Sequence, residues 1–167
     1  MGCKSAPGTP ASSGNASSSA RQPPAPTATY PPRSTDIPPT FKVFHHANGT
    51  FTLVIDADST DDEVNALIWQ LRDAAHTHTF DKLKISQKDV DARDPIVWFH
   101  IYRGAKCASE KYADGAPPCG ASYHAAGDYT FGGYTNKEWD KGVLHHGEDQ
   151  DILLWDSEAP YAAGAKS

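Results

Sequence analysis

Phe41-Lys42-Val43-Phe44-His45-His46-Ala47-Asn48-Gly49-Thr50-Phe51-Thr52-Leu53-Val54-Ile55-Asp56 is the stretch that decides how this chain folds. Asn48-Gly49 supplies two consecutive residues that tolerate positive φ, which the tightest strand-to-strand turns require. The flanks alternate and are rich in aromatic and β-branched residues, so the stretch reads as a β-hairpin. Phe51, Leu53 and Ile55 share one face of the second strand and are expected to point to the core.

Downstream, Asp56, Asp58, Asp61, Asp62 and Glu63 suggest a calcium loop, but the Gly and Glu that an EF-hand needs are replaced by Asp61 and Leu67. Thr60 with Glu63 instead fits a capping box, and the acids complement the positive end of a helix. That helix is expected from Asp61 to about Thr77, with Val64, Leu67, Ile68, Leu71 and Ala75 on one stripe and Trp69 beside it, covering a sheet edge. A short strand is expected around Leu83 and Ile85, followed by a polar turn from Gln87 to Asp94 and an antiparallel return. Ile96 to Tyr102 is an almost continuous apolar and aromatic run, read as the central strand. Asp128 to Tyr134 and Asp151 to Trp155 are further strands, the last a less certain sixth, while Asn136 to Asp149 is too polar to assign. The expected fold is α+β: a single small domain with a mainly antiparallel sheet, opened by a hairpin and packed by one main helix, in the order ββαβββ.

Upstream of the hairpin the composition changes. Of residues 1–40, nine are Pro, seven Ser, six Ala, five Thr and three Gly, too few core-forming side chains to offset the entropy of ordering. Residues 1–40 are therefore expected to be a disordered tether, 41–157 the globular domain and 158–167 a flexible tail. A domain of this size forms its own core without a metal or cofactor. Residues 41–167 carry twelve Lys and Arg against twenty Asp and Glu, a balance of minus eight. Nucleic acid rewards the opposite sign, so it is not an expected partner. No apolar run is long enough to span a bilayer as a helix.

The chain has three cysteines. Cys107 and Cys119 flank a Gly- and Pro-containing loop, and a bridge between them is expected in an oxidising compartment. In the chain-entropy model a loop of this length contributes about 3 kcal/mol. Cys3 is left over.

Gly2-Cys3-Lys4-Ser5 followed by a Ser/Pro/Ala stretch resembles the mature start of a bacterial lipoprotein, where a small residue precedes an acylated Cys. The resemblance covers the tether only. It implies a lipid on Cys3, a membrane anchor, a periplasmic or surface location in the cell envelope and a secretory leader upstream of Met1. Myristoylation fits less well, because Ala6 stands where Ser or Thr is wanted.

Eight histidines are the main hint of chemistry. His124, His145, His146 and Glu148 are the candidates for a metal centre, although no His-Glu-x-x-His or Cys-x-x-Cys pattern occurs. A metal-dependent hydrolase built on them is one expectation. His100 shares a strand face with Trp98 and Tyr102, a rigid position for a catalytic imidazole or for one bonded to the backbone. No Gly-x-Ser-x-Gly elbow is present. Tyr123, Tyr129, Phe131, Tyr134 and Trp139 make the second half the candidate binding face, since rings with a polar edge can hold a sugar or a peptide. The favoured expectation is thus a non-enzymatic envelope module, with no cofactor, that binds a cell-wall glycan, a peptide or another envelope protein.

Overall fold

A computed structural model describes residues 2–3, 7–8, 28–47, 49–92, 96–109, 111, 125–132, 138–147 and 150–162, the side chains of His45 and Ala47 excepted. The hairpin forms as β1 (Lys42–Ala47) and β2 (Thr50–Ile55), antiparallel, with Ala47 opposite Thr50 and Gly49 at a φ of 82°. Phe51, Leu53 and Ile55 are buried. The helix α1 (Asp61–Thr77) starts at the expected capping box: Glu63 N–H donates to Thr60 Oγ1 at 3.2 Å, and Thr60 N–H donates to Glu63 Oε2 at 2.7 Å. It ends at His78, in the left-handed conformation that closes a helix. Val64, Leu67, Ile68, Leu71 and Ala75 are all buried, as their spacing requires.

The next segment departs from expectation. Leu83 and Ile85 belong to no strand; Phe80–Leu83 is a 3₁₀ turn and Gln87–Asp91 a short helix, α2. Lys84, between them, has a φ of 59°, which no strand accommodates. Gln87 ties the turns together, its side chain accepting from Phe80 N–H and its own N–H donating to Asp81 Oδ1, both at 3.0 Å. Phe80, Ile85 and Val90 are buried as plugs beneath this connection.

With no strand at Leu83 and Ile85 to return from, the central strand β3 (Val97–Arg103) instead pairs with β2, and because a helix separates the two they run parallel. Then follow β4 (Ala125–Phe131), β5 (Asp140–His146) and β6 (Gln150–Trp155). The six strands lie in chain order across one sheet, and four of its five pairings are antiparallel. The strand that the sequence reading missed is β5, inside the polar stretch.

The helix α1 packs on β4 and β5 and, with the inward faces of β2 and β3, encloses a single core. Two glycines make this approach possible. A Cβ on Gly127 would stand 2.6 Å from Ile68 Cδ1 and 2.7 Å from Val143 O, and one on Gly142 would stand 2.5 Å from the Trp155 ring. Trp69 packs on Trp155 of the edge strand β6, with ring centroids 4.4 Å apart. Contacts also reach beyond residues 41–157. Tyr30 donates to Asp156, Arg33 pairs with Asp73 and lies over Trp69, and Tyr161 donates to Asp73 at 3.0 Å. Among the described residues no helix is long and apolar enough to cross a membrane.

Gly142→Ala is expected to destabilise the protein by about 1–3 kcal/mol, because the Trp155 ring is held by its neighbours and cannot swing away. Urea denaturation should show a lower midpoint at unchanged slope.

Candidate functional site

One face of the sheet lies under α1; no described helix or strand covers the other. The side chains on that open face follow from strand alternation and register. Thr50, Trp98, Thr130 and Lys141 make one cross-strand row, and Thr52, His100, Asp128 and Val143 the next. His145 and Asp151 are paired beyond them on β5 and β6. Trp139 immediately precedes β5, its carbonyl accepting from Gly132 N–H at 2.7 Å. It meets Trp98 from across β4, with ring centroids 6.3 Å apart and planes inclined by 54°. Both indoles are exposed, at 37% for Trp98 and 41% for Trp139.

Beside this pair runs a chain of alternating imidazoles and carboxylates. His100 Nδ1 is 2.6 Å from Asp128 Oδ1, His145 Nε2 is 2.7 Å from Asp128 Oδ2, and His145 Nδ1 is 2.6 Å from Asp151 Oδ1. The hydrogen bond to Asp128 favours the His145 imidazolium; burial opposes it, Asp151 adds to it, and the pKa is raised to about 9. For Asp128 burial pushes upward, but the hydrogen bonds from His100 and His145 outweigh it and hold the carboxyl at about 2. Near neutral pH, His145 is therefore a cation donating through both nitrogens, and Asp128 an anion accepting from two rings. The Tyr102 phenol is pushed up by burial and by the Asp128 charge, so it stays protonated.

On the helix side a second polar cluster pins β5. Asp140 accepts from Arg72 Nε at 3.1 Å and from Trp155 Nε1 at 2.9 Å, and its Oδ2 is 2.8 Å from His76 Nε2. Arg72, 1% exposed, also donates to Ala159 O at 3.0 Å and lies over the Trp155 ring. At the other end of the strand His146 pairs with Asp61, which also accepts from Arg103 at 2.6 Å. Burial raises the Asp61 carboxyl, and the His146 and Arg103 hydrogen bonds lower it further than that. Asp61 thus holds the start of α1 to the sheet.

These positions sort the residues singled out from the sequence. Trp139 is on the open face. Tyr129 and Phe131 are not: both are buried in the core, because on β4 they share the parity of Gly127 beneath the helix. Tyr123, Tyr134, His124, Glu148 and Cys119 lie outside the described residues. His145 and His146 are consecutive on a strand, so they project from opposite faces, one to Asp128 and Asp151 and the other to Asp61. They do not converge, and among the described residues no group of three His, Cys, Asp or Glu side chains is arranged to hold a metal ion. Cys3 is exposed and free; Cys107 is buried and engaged. His100 was visible from its strand face. Asp128 and the Trp98–Trp139 pairing depend on register between strands far apart in sequence.

The His145 interaction is fully present below about pH 6.5 and is lost as pH rises through about 9, because the folded state holds that proton more tightly than the unfolded chain. Seen from Asp128, the same interaction is present above about pH 3.8 and is lost as pH falls through about 2. His145→Gln should therefore lower the melting temperature most between about pH 4 and 6.5, with the deficit shrinking toward pH 9. Asp140→Ala leaves Arg72 buried without its anion and is expected to cost about 3–5 kcal/mol in denaturant unfolding. In comparisons with known proteins, the chain matches no family model, no curated protein and no solved structure.

Proposed function

We propose that the chain is a lipid-tethered envelope protein whose domain binds a cell-wall component through the open face of its sheet and catalyses nothing. The observation that carries this reading is the exposed Trp98–Trp139 pair next to His100. Large exposed aromatic rings with polar neighbours on a rigid strand surface are the usual anchors of recognition. The metal hydrolase has no comparable support, since two of its intended ligands diverge and each already has a carboxylate partner.

The tether fits the same reading. Cys3 is exposed and free for acylation. Tyr30 and Arg33 attach the segment before β1 to Asp156 and to α1, on the side opposite Trp98. Cys107, buried and engaged, supports the bridge to Cys119 expected in an oxidising compartment.

Three measurements test these points. The domain should cosediment with isolated cell-wall material, and Trp98→Ala or Trp139→Ala should weaken that by tenfold or more; equal cosedimentation by both variants would remove the open face from consideration. In protein made with its native leader, mass spectrometry should find an acylated Cys3, and an unmodified thiol there would refute the anchor. In unacylated protein, thiol titration in denaturant without reductant should give one reactive group per chain, whereas three would exclude the bridge.

A further inference from the structure

Resting on that reading of the open face, we infer that its ligand is an uncharged glycan, a sugar ring lying against Trp98 and Trp139 while one of its hydroxyls hydrogen-bonds with His100 Nε2. His100 Nδ1 is occupied by Asp128 Oδ1 at 2.6 Å, which fixes the ring and leaves Nε2 as the nitrogen that faces a ligand. No partner meets Nε2 among the described residues, and the side chain is 36% exposed. The Trp98 and His100 centroids are 6.4 Å apart, so an apolar platform and a fixed polar nitrogen stand side by side. A pyranose offers the matching pair, a C–H face and hydroxyls that can donate or accept.

Charge and backbone geometry narrow the class further. The charges on this face, Asp128 and Asp151 against His145 and Lys141, balance, and Glu138 beside Trp139 adds one negative charge. An anionic ligand would find no net positive charge there. Peptides commonly bind sheets by adding a strand, which needs unpaired backbone groups. Trp98 and His100 lie on β3, whose backbone is paired with β2 on one side and β4 on the other. Only side chains face the ligand here, a setting that favours ring stacking and hydroxyl contacts.

Titrating the folded domain with a soluble, neutral chitooligosaccharide and, separately, with a wall-derived stem peptide tests this by calorimetry. The expected result is saturable binding of the sugar alone, weakened about tenfold or more by Trp98→Ala, Trp139→Ala and His100→Ala, and unchanged by Lys88→Ala on α2. Trp98→Phe, which keeps an aromatic ring, should retain part of the affinity and guards against a folding defect in Trp98→Ala. Binding of the peptide but not the sugar would overturn the glycan assignment while leaving the wall-binding reading intact. Sugar binding unaffected by all three open-face variants would overturn the site. Failure to bind either probe, together with failure to cosediment with whole wall material, would overturn both readings.

Discussion

The buried pairing of Arg72 with Asp140 is the constraint on which the rest of this structure depends. It joins the middle of α1 to the first residue of β5, and Trp155, His76 and the Ala159 carbonyl complete the cluster. A strand alternates its faces, so drawing Asp140 toward the helix turns Trp139 and Lys141 to the open side. At the far end of the strand His146 is drawn in the same direction, toward Asp61, which turns His145 out toward Asp128. Both ends of β5 are pinned from within, and the open face is what remains on the other side. A register slip of one residue would bury Trp139 and expose Asp140, so the polar cluster under the helix determines which aromatic rings lie on the open face.

This arrangement also accounts for what could and could not be read from the sequence. The hairpin, the capping box, the α1 stripe and the central strand announce themselves because each is specified by neighbours in the chain: Asn48-Gly49, Thr60 with Glu63, and the periodicity of Val64 to Ala75. The strand β5 announces nothing. Its inward residues are Asp140, Gly142, Leu144 and His146, a pattern that looks like a polar loop until Arg72, the Trp155 ring and Asp61 are seen to complement it. Conversely, Leu83 and Ile85 look like a strand, yet the Ser86 cap and the Gln87 side-chain bonds win locally and produce two helical turns. Both surprises come from specific hydrogen bonds that a hydrophobic pattern cannot register.

The site was legible in the same partial way. Trp98, His100 and Tyr102 are two residues apart on one strand, so their common face follows from period alone. Asp128, which orients His100, enters only through the β3–β4 register. The aromatic second half of the chain was a poor guide to which rings lie on the open face. Tyr129 and Phe131 have the inward parity of β4, and Trp139 has the outward parity of β5. Composition cannot separate these; only the direction in which Asp140 is pulled does.

The four tryptophans provide a direct test of the central claim that ligands meet the open face. Trp98 and Trp139 lie on it, whereas Trp69 and Trp155 pack together beneath the helix face. Their indole N–H signals can be followed one by one by NMR as solubilised wall material is added to the isotopically labelled domain. The account predicts that the Trp98 and Trp139 signals shift or broaden while those of Trp69 and Trp155 stay in place. Movement confined to Trp69 and Trp155 would contradict it and place recognition on the other side of the sheet.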